Sequence, residues 1–327
     1  MLSPDESMRL EVPIIRWRET REVLRIVHAG GLASRDQRDV SSWGEVGASI
    51  ARRPGCFLGR AVRLAAAVSR AWVSLARPLA CGVDDPGGDR ARRLSLACVR
   101  GLRALGVEVQ ANGPIPDHGL LVANHVSYLD TLVLASLSPA TFVAKSDVAR
   151  WPVFGRLARL SGTVFIRRSR RLAVRPALQQ MSRVLDADGL VVVFPEGTSS
   201  DGEDVLPFHP ALLTSVKAGD RVHVAWVSYR VPGDDAGRLV AYWGRMLFGA
   251  HLLRLLCVRG IQAEVRFARC ESLPEDRKAR ADHLRQAILD LSRAGSVQAR
   301  NTRTSRKEDR GRGWSGPVRL CDEPLSP

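Results

Sequence analysis

Two residues five positions apart, His125 and Asp130, are of the types that form a general base and the carboxylate that orients it. The apolar run at 120–123 precedes them and is typical of a buried strand. Ser127 and Asp130 have the spacing of a capping box, so the sequence predicts an apolar helix over 128–137. His125 is then expected in the loop before the helix and Asp130 in its first turn, where the two side chains can meet. Such a pair can take a proton from a hydroxyl group.

The predicted helix start also favours the neutral form of His125. The positive end of a helix disfavours a nearby imidazolium, so the ring stays able to accept a proton. The same five-residue spacing, taken alone, fits an ordinary helix cap beside a loop histidine. Other parts of the sequence have to decide between the two interpretations.

Polar residues also follow two later apolar strands. Arg168 follows a predicted strand at 162–166, and Glu196 and Gly197 follow one at 189–194. Folds of the α/β type place their sites in loops at strand ends. An arginine there can hold a phosphate or carboxylate, and a glycine lets the backbone approach a ligand closely. Each group taken singly also fits a surface charge or a plain turn.

Strand and helix patterns alternate from about residue 90 onward, which predicts a layered α/β domain. The predicted strands are at 107–111, 120–123, 141–145, 162–166, 189–194, 222–230, 239–243 and 262–268. The predicted helices are at 90–105, 128–137, 151–160, 175–187, 248–258 and 276–292.

The chain divides into four parts by composition. Residues 1–52 are a poorly patterned extension, 53–85 an amphipathic arm, 86–293 the main domain and 294–327 a basic tail expected to be disordered. Within the arm, Arg63, Arg70 and Arg77 recur every seven residues beside apolar positions, and Arg60 precedes them. This pattern fits a helix lying in a membrane interface, and equally an ordinary amphipathic helix packed on the domain.

Composition narrows the class of protein. The 327 residues carry a formal net charge of +15, which favours anionic partners: a membrane surface, an acidic carrier protein or nucleic acid. The six cysteines have no metal-binding spacing, and no apolar stretch reaches the roughly 18 residues of a spanning helix. Basic residues are not interleaved with aromatic ones, so no nucleic-acid partner is expected.

Three motifs in this order resemble the glycerolipid acyltransferases typified by lysophosphatidic acid acyltransferase. They are Asn-His-Val-Ser-Tyr-Leu-Asp at 124–130, Gly-Thr-Val-Phe-Ile-Arg-Arg at 162–168 and Phe-Pro-Glu-Gly-Thr at 194–198. The resemblance covers about residues 95–230. It implies a mixed sheet flanked by helices, with an N-terminal amphipathic helical arm. It also implies transfer of a fatty acyl group from acyl-carrier protein or acyl-CoA to a lysolipid hydroxyl, without a cofactor or metal.

The resemblance assigns roles within the motifs. His125 corresponds to the general base and Asp130 to the residue that orients it. The residues expected to bind the acceptor's head group are Arg168, Glu196, Gly197 and Thr198. The enzyme is expected at the cytoplasmic face of a membrane, attached peripherally or anchored in the interface.

The sequence departs from the family pattern at two places. Ser199 stands where the family often has arginine, and the fourth motif at 222–229 lacks its usual proline. The stretch 199–208 resembles a subgroup that acylates lyso-ornithine lipid. Asp201, Glu203 and Asp204 could then face an amino group, or form a solvated acidic loop.

The sequence leaves two rival functions open. The charge and the arginine-rich tail also fit a non-catalytic basic protein that binds membrane or nucleic acid. A thioesterase would use the same base on water. No Gly-x-Ser-x-Gly motif is present, which argues against a serine hydrolase.

Overall fold

The computed structural model describes residues 43–80, 87–151, 153–166, 174–216 and 220–308. Its helices are α1 (Trp43–Arg52), α2 (Pro54–Ala80), α3 (Gly87–Leu105), α4 (Leu129–Leu137), α5 (Phe154–Leu160), α6 (Arg175–Asp186), α7 (Ala236–Leu239), α8 (Phe248–Leu255) and α9 (Arg277–Glu308). Its strands are β1 (Val107–Asn112), β2 (Gly119–Ala123), β3 (Thr141–Lys145), β4 (Val164–Ile166), β5 (Leu190–Val193), β6 (Val222–Arg230) and β7 (Ile261–Cys270). Short 3-10 turns occupy Val148–Arg150 and Pro210–Ser215.

The seven strands form one mixed sheet in the order β1-β7-β6-β2-β5-β3-β4. Strands β2 to β6 are mutually parallel, β7 runs antiparallel to β6, and β1 pairs with β7 in parallel. The expected layered mixed sheet with flanking helices is therefore confirmed. Since strands β2 to β6 share one direction, the loops that follow β2, β5 and β6 start at the same edge of the sheet.

The central strands are buried on both faces, which explains their unbroken apolar sequences. In β2, Leu121 and Ala123 point into one core layer, whereas Leu120 and Val122 point into the other. The first layer includes residues of α3, α4 and α8, and the second includes residues of α6 and α9. Close packing on both faces of the sheet therefore holds each strand end in a defined position.

One predicted strand, 239–243, is wrong. Residues Ala236–Leu239 form α7 instead, and the Asp235 side chain caps this helix by accepting from the Gly237 amide at 2.9 Å. The chain then crosses the loop after β2, where the Tyr242 amide donates to the Val126 carbonyl at 3.0 Å. The apolar residues that suggested a strand are buried by this packing rather than by pairing in the sheet.

The predicted extension and tail also differ from the structure in part. Residues 43–52 form α1, whose Val46 is buried and whose Glu45 pairs with the buried Arg254 at 3.3 Å. At the other end, α9 continues to Glu308, beyond the predicted tail boundary at 294. The remaining residues of both segments, 1–42 and 309–327, lie outside the described part of the chain.

Helix α2 has two distinct sides. Ala67, Ala71 and Leu75 are buried towards the domain. Arg60 is buried as well and donates to the Val258 carbonyl, so it does not belong to the surface arginine stripe. Arg63, Arg70 and Arg77 are exposed on one side of the helix, as their spacing predicted.

An apolar strip runs along α2 beside the three exposed arginines. Leu58, Val62 and Val73 on this strip are 64%, 61% and 63% exposed, although the same residue types are normally buried. The exposed surface of α2 therefore combines cations with large apolar side chains. None of the helices in the described ranges has the length and hydropathy that crossing a membrane requires.

Candidate active site

His125 and Asp130 meet at the carboxyl end of β2, as their spacing predicted. The His125 Nδ1 atom lies 2.8 Å from Asp130 Oδ2, with the histidine side chain 21% exposed and the aspartate fully buried. A carboxylate oxygen can only accept, so Nδ1 carries the proton in this hydrogen bond. In the neutral ring the lone pair is then on Nε2, which makes no hydrogen bond to any described residue. This is the nitrogen that can accept a proton from a substrate.

Asp130 is held by three further donors. Its Oδ2 atom accepts from the amides of Val126 at 2.7 Å and Ser127 at 2.9 Å, and its Oδ1 atom accepts from the Tyr229 hydroxyl at 2.6 Å. Burial and the neighbouring Asp130 raise the pKa of Tyr229 well above its usual value, so this phenol keeps its proton and remains a donor. A buried carboxylate with this many donors stays in place and holds the histidine ring in one orientation.

The predicted capping box is realised only in part. Asp130 does accept from the amide of Ser127, as the motif requires. The Asp130 amide, however, donates to the Ser127 carbonyl, and the Ser127 hydroxyl is buried without a partner. Tyr128 is the residue at the helix N-cap, so the prediction of Ser127 as N-cap is wrong. The amide from which the Ser127 hydroxyl would accept is therefore already bound to the Ser127 carbonyl.

Asn124 anchors the turn to the neighbouring strand β6. Its side-chain nitrogen donates to the Val227 carbonyl at 2.9 Å, and its side-chain oxygen accepts from the Val227 amide at 2.7 Å. The backbone pairing of β2 with β6 ends at Ala123 and Ala225. The amide group of Asn124 therefore continues the ladder by one step while the backbone turns away. This frees the next residue, His125, to leave the sheet.

Residues 194–200, which follow β5, surround His125. The Phe194 ring stacks on the His125 ring with centroids 4.3 Å apart. Glu196 Oε1 accepts from the His125 amide at 2.6 Å, and the Ser200 amide donates to the His125 carbonyl at 2.9 Å. The predicted third motif is thus brought against the predicted first one.

The Glu196 carboxylate is 3% exposed, and its second oxygen accepts from the Leu206 amide at 2.9 Å. Burial raises the pKa of Glu196 to about 8, and the two amide hydrogen bonds oppose that increase. Next to it, Gly197 adopts φ +75°, a conformation that favours glycine, and Thr198 is exposed. Gly197 and Thr198 are therefore more accessible to a ligand than Glu196.

Ser199 connects this segment to the loop that follows α7, where the sequence predicted a strand at 239–243. Its hydroxyl donates to the Tyr242 carbonyl, and Tyr242 also pairs through its amide with Val126. Tyr242 belongs to an aromatic cluster with Tyr128, Trp151 and Phe248. An apolar aromatic surface therefore borders the histidine loop.

A second histidine, His251, is buried behind this cluster. Its Nε2 donates to the Ala241 carbonyl at 3.1 Å, and its Nδ1 accepts from the Tyr128 hydroxyl at 3.0 Å. Burial lowers the pKa of His251 to about 4, so this ring is neutral near pH 7. It supports Tyr128 from within the core and has no access to a substrate.

Two further binding features were predicted, Arg168 and the acidic loop at 201–204. Arg168 lies outside the described part of the chain. In the acidic loop, Asp201 accepts from the Glu203 amide at 3.1 Å, and Asp204 lies 3.7 Å from Arg285 while remaining exposed. No group of residues suited to hold a metal ion occurs in the described ranges.

Tyr229 and the main-chain partners of Glu196 are the features that sequence reasoning missed. Tyr229 is 99 residues from Asp130 in sequence, and the unusual fourth motif in which it lies was the available signal. Backbone amides have no signature in a sequence, so the partners of Glu196 could not be read from it.

Comparisons with known proteins agree with this geometry. A family model described as Acyltransferase matches residues 106–229. A lyso-ornithine lipid O-acyltransferase from Pseudomonas aeruginosa is 36% identical over 237 residues, covering 71% of this chain and 90% of that protein. A 1-acyl-sn-glycerol-3-phosphate acyltransferase from Neisseria gonorrhoeae is 31% identical over 216 residues, covering 63% of this chain and 84% of that protein.

One solved structure has a similar fold. The crystal structure of the 1-acyl-sn-glycerophosphate (LPA) acyltransferase PlsC from Thermotoga maritima aligns with a TM-score of 0.50 and 21% identity. The alignment covers 75% of this chain and 98% of that chain. At this identity the likeness concerns the fold.

Proposed function

Since the chain belongs to the acyltransferase family, we propose that it moves a fatty acyl group from an acyl thioester to the free hydroxyl of a lysolipid. Family membership confirms the resemblance that the three motifs carry. It also favours an enzyme over a non-catalytic basic protein. The observation that carries the proposal is the accessible Nε2 of a histidine whose other nitrogen is bound to a buried carboxylate.

The reaction uses His125 as the general base. Nε2 takes the proton of the acceptor hydroxyl while that oxygen attacks the thioester carbonyl carbon. The tetrahedral intermediate collapses, the carbon–sulfur bond breaks, and the proton passes from His125 to the thiolate that leaves. Asp130 keeps the ring in the tautomer that the first step needs and stabilises the imidazolium formed between the two steps. The donor is acyl-carrier protein or acyl-CoA.

The acceptor's head group binds to the exposed residues beside the base. Gly197 and Thr198 offer backbone and hydroxyl groups, and Arg168 supplies a cation for a phosphate or carboxylate. The relative from Pseudomonas aeruginosa suggests lyso-ornithine lipid as an acceptor, and the one from Neisseria gonorrhoeae suggests lysophosphatidic acid. Ser199, which replaces a common arginine, favours the first.

We also propose that α2 holds the enzyme at the cytoplasmic face of a membrane as a peripheral protein. Support comes from the exposed apolar strip of Leu58, Val62 and Val73 beside three exposed arginines. Apolar side chains of this kind enter the acyl boundary, and the cations face anionic lipid head groups. Residues 53–85 thus act as the membrane arm of the acyltransferase domain.

The His125→Ala variant tests the reaction. Release of thiol from an acyl thioester, dependent on a lysolipid, should fall by at least ~10²-fold because the base is lost. The variant should stay folded, since Asp130 keeps its other three donors. His118→Ala is the matched control, because His118 lies at the opposite end of β2. Near-normal transfer by His125→Ala would contradict the mechanism, and thiol release without any lysolipid would indicate a thioesterase.

Vesicle binding tests the membrane arm. Changing Arg63, Arg70 and Arg77 together to Gln should weaken binding to phosphatidylglycerol vesicles roughly 100-fold at low salt, at about 1 kcal/mol for each cation. The control triple changes the exposed Arg175, Arg183 and Lys278, which lie on α6 and α9, to Gln. Equal losses in both triples, or wild-type binding that resists both salt and carbonate, would count against an interfacial α2.

The acceptor preference depends on position 199. Wild-type enzyme should use lyso-ornithine lipid at least as well as lysophosphatidic acid, because the head group of the former has a carboxylate for Arg168 and needs no second cation. Ser199→Arg should shift the preference towards the phosphate lipid by about 10- to 100-fold, the value of one charge-assisted hydrogen bond. Ser199→Gln removes the tie to Tyr242 without adding charge and serves as the control. A strong wild-type preference for lysophosphatidic acid that Ser199→Arg leaves unchanged would overturn this assignment.

A further inference from the structure

The segment 194–200, which includes the third motif, contacts His125 at three points. Phe194 covers the His125 ring, Glu196 accepts from the His125 amide, and Ser200 donates to the His125 carbonyl. All three contacts come from one segment, 194–200. Two of them involve the main chain of His125 and not its ring.

Each oxygen of the Glu196 carboxyl group already accepts a main-chain hydrogen bond. Oε1 is 2.6 Å from the His125 amide nitrogen and Oε2 is 2.9 Å from the Leu206 amide nitrogen. With 3% of the residue exposed, a lipid head group would have to displace one of these amides in order to reach the carboxylate. The displaced amide would then be buried without an acceptor, which is unfavourable.

The second partner, Leu206, is itself anchored. Arg285 on α9 donates through Nε to the carbonyls of Val205 at 2.8 Å and Leu206 at 3.3 Å. The contacts therefore run from α9 through the loop at 205–206 and the carboxylate of Glu196 to the backbone of His125. This arrangement fixes the base relative to a helix on the second core layer.

We propose that Glu196 is a positioning residue that holds the backbone of His125 against the loop at 205–206, and not a ligand for the acceptor's head group. This refines the proposed acyl transfer and rests on it. Without the hydrogen bond between Glu196 and the His125 amide, the His125 ring can move relative to the bound hydroxyl and thioester. A displacement of about 1 Å in such a geometry can cost on the order of 100-fold in rate.

Kinetics with two acceptors of different charge distinguish a positioning role of Glu196 from a role as head-group ligand. In Glu196→Gln, one of the two amides faces an NH2 group instead of an oxygen. We expect kcat to fall roughly 100-fold with both lysophosphatidic acid and lyso-ornithine lipid, while KM for each acceptor stays nearly constant. Glu196→Asp keeps the carboxyl group but is too short to reach both amides, so it should not restore kcat. A head-group ligand would instead give a KM increase that differs between the acceptors and is relieved by Asp.

Hydrogen exchange gives a readout that does not depend on activity. The amides of His125 and Leu206 should be protected in the wild type and exchange at least ~10-fold faster in Glu196→Gln, because one of the two accepting oxygens is replaced by an NH2 group. The control is Glu271→Gln, an exposed carboxylate beyond β7 at the opposite edge of the sheet. It should change neither exchange nor kinetics.

Failure of the positioning role of Glu196 can be distinguished from failure of the proposed acyl transfer. A wild type that transfers no acyl group to any lysolipid overturns the proposed function, while hydrogen exchange still tests the tie. Unchanged protection of both amides in Glu196→Gln, or an acceptor-selective rise in KM at constant kcat, overturns the positioning role.

Discussion

The site depends on the buried carboxylate of Asp130. A fully buried charge is stable only when its oxygens are hydrogen-bonded, and here the His125 ring, two amides of the turn and a tyrosine hydroxyl supply four donors. The amides of Val126 and Ser127 belong to the same turn that presents the histidine. Forming the turn and orienting the base are therefore one event, and a change that disturbs one disturbs the other.

The parallel sheet brings the required side chains together. Strands β6, β2 and β5 are neighbours, so Tyr229, His125 and Glu196 come from adjacent strand ends although they are far apart in sequence. Asn124 joins β2 to β6 where the backbone pairing stops, and Glu196 joins the β2 loop to the β5 loop. The base is thus tied to both flanking strands by side chains that bond to main chain. Such ties limit movement without adding a charge near the reacting atoms.

Much of this architecture could be predicted from the sequence, because the central strands are continuous apolar runs and the helices have apolar periods. The pair His125 and Asp130 was predictable from a strand end followed by a helix start. The error at 239–243 shows the limit of this reasoning: apolar residues such as Val240 and Ala241 are buried by a loop instead of a sheet. Ser127 is not the cap because the Asp130 amide, from which its hydroxyl would accept, donates to the Ser127 carbonyl instead. The contact between Tyr229 and Asp130 could not be predicted, because it depends on the order of the strands in the sheet.

The position of the proton on the His125 ring tests this account most directly. In the wild-type enzyme labelled with 15N in its histidines, long-range proton–nitrogen NMR distinguishes the two tautomers, and His125→Ala assigns the signal. The account predicts a protonated Nδ1, hydrogen-bonded to Asp130, and an unprotonated Nε2 that faces the substrate. A neutral ring with the proton on Nε2 would contradict it, because that nitrogen could not then accept the proton of the acceptor hydroxyl.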